Sequence, residues 1–148
     1  MIGDVVHVRR GTTVEIVVTL RVASRPNWAQ FVPQLAKVDL ILGSVTGPAV
    51  DRDTIAAPDT RVVKTFDVSG VRAGMRAQAS EVELVYRVRD VEAPFYLRVR
   101  GSDGHHLQPG LRGASVDPAG PRVDPIGQAD PWDDLWFYVN PIWVLPQR

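Results

Sequence analysis

The chain has 148 residues, a formal net charge of zero and no cysteine. That length is typical of one domain, so we expect residues 1–148 to form a single one. The charge balance argues against a nucleic-acid surface, because such domains usually carry a basic excess. The lack of cysteine excludes disulfides, thiolate catalysis and cysteine-ligated zinc, and no stretch approaches the roughly twenty apolar residues of a membrane-spanning helix.

Alternation of apolar and polar residues is the dominant pattern along the chain, and it predicts β-strands. It is clearest over 14–22, where Val14, Ile16 and Val18 alternate with Glu15 and Thr19. Seven or eight short strands separated by turn residues predict an all-β fold, an immunoglobulin-like antiparallel β-sandwich, with a barrel as the alternative. The predicted strands, in chain order, cover 4–9, 14–22, 37–42, 61–68, 81–89, 95–100 and 135–144.

The segment 27–35 departs from the strand pattern. Asn27 is a candidate helix N-cap, and apolar residues at helical spacing follow it. Pro33 would clash with the carbonyl four residues before it, so a single helical turn is the prediction. The apolar residues concerned are Trp28, Phe31, Val32 and Leu35.

Residues 101–131 contain six glycines and five prolines, which leave too little apolar surface for regular strands. They predict one long loop that is either functional or loosely ordered. Calcium bound in an aspartate-rich loop is the one cofactor that the sequence leaves open. The aspartates of this segment are Asp103, Asp117, Asp124 and Asp130.

Five of the eleven aromatic residues lie within twelve positions near the C-terminus. In the predicted strand 135–144, apolar residues occupy both parities, with Leu135 and Phe137 on one side and Trp136 and Tyr138 on the other. A strand with one face in water alternates apolar with polar residues, so both faces here need cover. The candidate binding residues of this aromatic cluster are Trp132, Trp136, Tyr138 and Trp143.

Two interpretations of the aromatic cluster stay open. It can be a packing or interface surface, because tryptophan and tyrosine bury large apolar areas and favour interfaces. It can also be a carbohydrate platform, on which indole faces stack against sugar rings while Asp133, Asp134 and Asn140 supply hydrogen bonds. Spacing along the chain does not separate the two.

The sequence contains no catalytic signature. Asp133 and Asp134 are neighbours and point to opposite faces of an extended segment, so they cannot form an acid–base pair. His105 and His106 are adjacent and lack the spacing of metal ligands, and there is no nucleophile elbow or phosphate-binding loop. We therefore predict no catalytic and no metal-binding residue in this chain.

Four arginines occupy outward parities of two consecutive predicted strands. Arg87 and Arg89 belong to one strand, and Arg98 and Arg100 belong to the next. If these strands pair, the arginines form a stripe that could receive an acidic loop or an anionic ligand. Scattered surface ion pairs, each worth under about 1 kcal/mol, are the alternative.

Three segments resemble a known family. They are 37–47 (KVDLILGSVTG), 94–104 (PFYLRVRGSDG) and 130–144 (DPWDDLWFYVNPIWV). Together they are similar to the C-terminal β-domain of exported actinobacterial phosphoesterases of the PHP-like (polymerase and histidinol phosphatase) metallohydrolase type. In that group a chain commonly ends shortly after an Asn-Pro-Ile-like strand.

The catalytic His and Asp clusters of that family lie on a separate N-terminal domain, and none of those motifs occurs here. The resemblance therefore implies a non-catalytic accessory domain that is a fragment of a longer, exported chain. Its implied partner is the catalytic domain of a metal-dependent phosphoesterase, and a polysaccharide is the alternative partner. The resemblance assigns no catalytic residue to this sequence.

Overall fold

The computed structural model describes residues 2–27, 30, 32–54, 57, 59–70, 81–104 and 135–147. These residues contain eight strands and no helix, which confirms the predicted all-β fold. Every predicted strand is found, and the last one is divided in two. The strands are β1 (Val5–Arg9), β2 (Thr12–Arg21), β3 (Lys37–Ser44), β4 (Arg61–Asp67), β5 (Glu81–Val91), β6 (Phe95–Ser102), β7 (Trp136–Tyr138) and β8 (Ile142–Gln147).

The described residues of 27–35 form no helix. The Gln30 N–H donates to the Asn27 carbonyl at 3.0 Å. Gln30 has φ of 67°, a left-handed conformation that interrupts a right-handed helix. Trp28 and Phe31, on which the predicted helical turn also rested, lie outside the described residues.

The strands form two sheets. The larger sheet has the order β1–β8–β6–β3–β4, with β7 also paired to β6, and the smaller is a β2–β5 ribbon. The described pairings are antiparallel except that β1 pairs with β8 in parallel. The consecutive strands β5 and β6 lie in different sheets, so the arginine stripe predicted if they paired does not form.

The predicted strand 135–144 is interrupted over residues 139–141, which include Asn140 and Pro141. Proline has no N–H to donate to a sheet, so it favours an interruption here. Both halves of the divided strand still pair with β6. Strand β7 lies along the C-terminal half of β6, and β8 lies along the N-terminal half of β6.

The two halves pair with β6 in registers that differ by one residue. Tyr138 lies opposite Arg100, whereas Trp143 lies opposite Tyr96. A shift of one residue exchanges the faces to which all later side chains point. The core face therefore receives Phe137, Val139, Ile142 and Val144, and the opposite face receives Trp136, Tyr138 and Trp143.

The core lies between the ribbon and one face of the larger sheet. The ribbon contributes Ile16 and Leu84, and they pack with Leu40 and Val99 of the larger sheet. Strand β3 is enclosed on both faces, because Asp39 and Ile41 are buried as well as Val38 and Leu40. The side of the larger sheet that points away from the ribbon is called the outer face below.

Two glycines of the larger sheet each lie under an aromatic ring on the neighbouring strand. Gly101 is opposite Phe137, and Gly43 is opposite Tyr96. A Cβ would lie 2.2 Å from Phe137 Cε1 at Gly101, and 2.4 Å from Tyr96 Cζ at Gly43. Such aromatic–glycine pairs across strands fix the register of a sheet.

We expect Gly101→Ala to lower the free energy of unfolding by about 1–3 kcal/mol, because the Phe137 ring must leave its place in the core. Gly70→Ala is the matched control, since nothing lies within 4 Å of the Cβ that it would add. Urea denaturation of both variants measures the difference. Equal stabilities would contradict the packing of this ring on Gly101.

Candidate functional site

The outer face carries three of the four predicted binding residues. Trp136, Tyr138 and Trp143 all point to it, and they are joined by Tyr96 of β6. Tyr138 is 47% exposed and Trp143 is 37% exposed, while Trp136 and Tyr96 are half-buried. The fourth predicted residue, Trp132, lies outside the described residues.

Tyr96 and Trp143 form an apolar row across the sheet. Their ring centroids are 5.4 Å apart with planes inclined at 51°, an arrangement typical of aromatic pairs. Trp143 is also in register with Val5 of the edge strand β1. The Tyr96 hydroxyl lies 2.5 Å from Thr60 Oγ1, so its polar atom is already satisfied within the protein.

A buried ion pair lies four residues beyond Tyr96 along β6. Arg100 Nε and Nη2 both donate to Asp39 Oδ2, at 3.0 and 2.6 Å. The Thr65 hydroxyl donates to Asp39 Oδ1 at 2.7 Å. The two charged side chains are only 7% and 5% exposed. Tyr138, Arg100, Asp39 and Thr65 are in register on four neighbouring strands, so the ion pair lies between Thr65 and the exposed Tyr138.

Trp136 packs against cations. Lys37 Nζ and the Arg100 guanidinium lie 5.0 and 5.2 Å from the ring centroid, within the range of cation–π interactions. Its Nε1 is the one buried side-chain nitrogen or oxygen without a hydrogen-bond partner in the described part of the chain. An unsatisfied buried donor costs about 1–3 kcal/mol. Because Nε1 makes no hydrogen bond, the ring contacts are what hold Trp136 in place.

Arg98 lies on β6 between the aromatic row and the ion pair. Its Nε donates to the Val139 carbonyl at 3.3 Å, and its guanidinium is 6.0 Å from the Tyr138 ring centroid. Val139, the acceptor of this hydrogen bond, lies in the break between β7 and β8. No carboxylate among the described residues forms an ion pair with Arg98.

Sequence reasoning found the aromatic residues of this face but not Asp39 as the partner of Arg100. One signal was available, because Asp39 interrupts the apolar run from Val38 to Leu42 in a predicted strand. A carboxylate in such a run is buried and therefore needs a charged or hydrogen-bonding partner. The identity of that partner depends on which strands are neighbours.

A cavity of about 190 Å³ opens at one end of the sandwich, where β2 ends and β7 begins. Leu35, Trp136 and Phe137 contribute to its largely apolar walls. Arg21 reaches the same cavity, but its Nη2 already donates to Glu81 Oε1 at 3.0 Å. A catalytic site needs several convergent polar groups, and the described lining does not supply them.

The remaining candidate residues are only partly visible. Asn140 is exposed beside the break between β7 and β8. Strand β6 continues to Ser102, so the predicted loop begins after it, and residues 105–134 lie outside the description, with Asp133, Asp134 and both adjacent histidines. Calcium binding there stays a prediction.

The described residues contain no group of three or more His, Cys, Asp or Glu side chains that could hold a metal ion. They also contain no helix that is long and apolar enough to cross a membrane.

Comparison with known proteins found no match. No protein-family model matches the chain, and neither a curated protein nor a solved structure does.

We expect Asp39→Asn to lower the free energy of unfolding by about 3–5 kcal/mol, because it leaves the Arg100 charge buried without a counter-ion. The matched control is Glu15→Gln, which breaks an exposed pair with an Arg87 Nε–Glu15 Oε2 distance of 2.7 Å. That change should cost less than about 1 kcal/mol. Urea denaturation compares them, and similar losses would contradict the burial of the Arg100–Asp39 pair.

Tyr138 should make stability depend on pH in alkaline solution. Burial raises the pKa of Tyr138 above its ordinary value of 10.0, and the nearby Arg100 charge partly offsets this. Folding therefore favours the neutral phenol, and this stabilisation is complete below the unfolded pKa of about 10 and lost as the pH rises through the folded pKa. The free energy of unfolding should fall more steeply above pH ~10 for the native chain than for Tyr138→Phe. Parallel curves for the two proteins would refute the assignment.

Proposed function

We propose that this chain is a non-catalytic accessory β-sandwich domain that docks through its outer face on the catalytic domain of a longer, exported phosphoesterase-like protein. The observation that supports docking is that Tyr138 and Trp143 are exposed on one face whose central charges are already paired with each other. The phosphoesterase activity of the partner and the export of the parent rest on the sequence resemblance.

The composition of the outer face favours a protein partner. Tryptophan, tyrosine and arginine are the residues that most often carry binding energy in protein interfaces. The rings of Trp143 and Tyr96 pack on each other, and Tyr96 also lies over Gly43. Rings held in place before binding lose little side-chain entropy, so more of their contact energy contributes to affinity.

We also propose that the sandwich is immunoglobulin-like. Strands β2 and β5 then correspond to strands B and E of that fold, and β3, β6 and β8 correspond to C, F and G. The order β8–β6–β3–β4 in one sheet and β2–β5 in the other supports this assignment. On it, the outer face is the solvent side of the C–F–G sheet.

Carbohydrate or cell-wall binding through the aromatic cluster is the alternative. The exposure of Tyr138 and Trp143 favours it, because a sugar ring needs an accessible aromatic face. Sugar recognition also needs polar groups beside that ring. Asp39, the carboxylate at the centre of the outer face, is already committed to Arg100 and Thr65. This arrangement favours the protein interface.

The docking proposal predicts that the reading frame continues upstream into a metallohydrolase domain, and that the two domains bind each other when expressed separately. We expect Trp143→Ala and Tyr138→Ala each to weaken this binding by about tenfold or more, as hot-spot truncations do. Isothermal titration calorimetry measures the change. The control is the double variant Val17→Ala, Val85→Ala, which trims an exposed apolar pair on the opposite sheet.

Unchanged affinity in both aromatic variants would remove the outer face from the proposed interface. Retention of the chain on an immobilised polysaccharide, lost in the same two variants, would instead establish the carbohydrate-binding alternative.

A further inference from the structure

We infer that Arg98 binds a carboxylate of the docking partner, an Asp or Glu side chain that enters between Tyr138 and Trp143. The inference rests on the proposed function, since it names the chemistry that the outer face recognises. It gives this face a specific polar contact in addition to its apolar area.

Arg98 is half-buried and forms no ion pair among the described residues, whereas Arg89, the other arginine within β5 and β6 without one, is exposed. Arg100 is paired with Asp39, Arg87 with Glu15 and Arg21 with Glu81. Arg98 has neither an acidic partner nor an acceptor for its terminal Nη atoms among the described residues. These Nη atoms are not buried, because Trp136 Nε1 is the one buried side-chain atom there that lacks a partner. Two guanidinium nitrogens are therefore available to a ligand.

The local structure directs that guanidinium. The break at Asn140 and Pro141 leaves the Val139 carbonyl beside β6, and it accepts from Arg98 Nε at 3.3 Å. With Nε occupied, the edge formed by the two Nη atoms remains, and this edge matches the two oxygens of a carboxylate. The ring of Tyr138, with its centroid 6.0 Å from the guanidinium, limits its movement on one side.

The surroundings strengthen a charged contact at this position. Arg98 is half-buried and in register with Ile41, which is buried, and through it with Val62 of β4. On β6 it lies between the positions opposite Trp143 and Tyr138. Partial removal of water by such apolar neighbours makes an ion pair stronger than one on an open surface. The complementary ligand is thus an acidic side chain flanked by apolar residues.

A peptide selection tests this inference with the intact chain. A random peptide library displayed on phage is selected on the native protein, and peptides that still bind Trp143→Ala are discarded, so that outer-face binders remain. We expect Asp or Glu to be enriched in them. Replacing that acid by its amide in a synthetic peptide should weaken binding by about tenfold.

Variants of the protein then locate the contact. Against Arg98→Gln, the acidic and amide peptides should bind equally, and Arg98→Lys should restore part of the preference because lysine keeps the charge without the paired geometry. Arg89→Gln, an exposed arginine on the ribbon, should leave the preference unchanged. Circular dichroism checks that each variant is folded.

The outcomes separate this inference from the proposed function. Outer-face peptides without acidic enrichment, or an acid preference that survives in Arg98→Gln, would overturn the role of Arg98 and leave docking intact. Failure to obtain any peptide that depends on Trp143 would overturn both. A third outcome is that the chain binds polygalacturonate, that Arg98→Gln abolishes this binding, and that the selected peptides show no acidic preference. That outcome would assign the carboxylate to a sugar acid and would also overturn the inference that Arg98 binds an Asp or Glu side chain.

Discussion

The one-residue change of register between β7 and β8 determines how the C-terminal segment divides its apolar residues. Along an uninterrupted strand, Trp143 would share a face with Phe137. The break at Asn140 and Pro141 instead places Trp143 beside Tyr138 on the outer face and Val144 in the core. Both the closure of the sandwich and the aromatic surface therefore depend on this one interruption. It also leaves the Val139 carbonyl beside β6, where it accepts from Arg98 Nε.

The buried Arg100–Asp39 pair fixes the positions of the polar side chains at the centre of the outer face. Buried ion pairs contribute little to stability compared with apolar residues of the same volume, because both charges lose their hydration. Their geometry is nevertheless restrictive, since every other buried donor and acceptor of the two side chains needs a partner as well. Here Thr65 donates to the second oxygen of Asp39, and these contacts fix β4, β3 and β6 relative to one another. We regard it as the element that holds the rings beside it in one arrangement.

Much of the fold could be predicted from local pattern. All the strands were found because alternation depends on neighbouring residues in the chain, and the candidate residues Trp136, Tyr138 and Trp143 came from the same segment. The arginine stripe, conditional on β5 and β6 pairing, does not form, because chain order does not specify the sheet to which a strand belongs. Asp39 was detectable as a buried charge, but Arg100 could be named only once β3 and β6 were known to be neighbours.

The sequence by itself determined the positions of the strands, the all-β class and the presence of an aromatic segment with apolar residues on both parities. These properties follow from the period of a strand and from the conformations of glycine and proline. The tertiary structure decided which of those residues meet. It brought Arg98, Tyr138 and Trp143 onto one face and paired Arg100 with Asp39. The reason is that pairing and register between distant segments are set by packing across the whole sandwich.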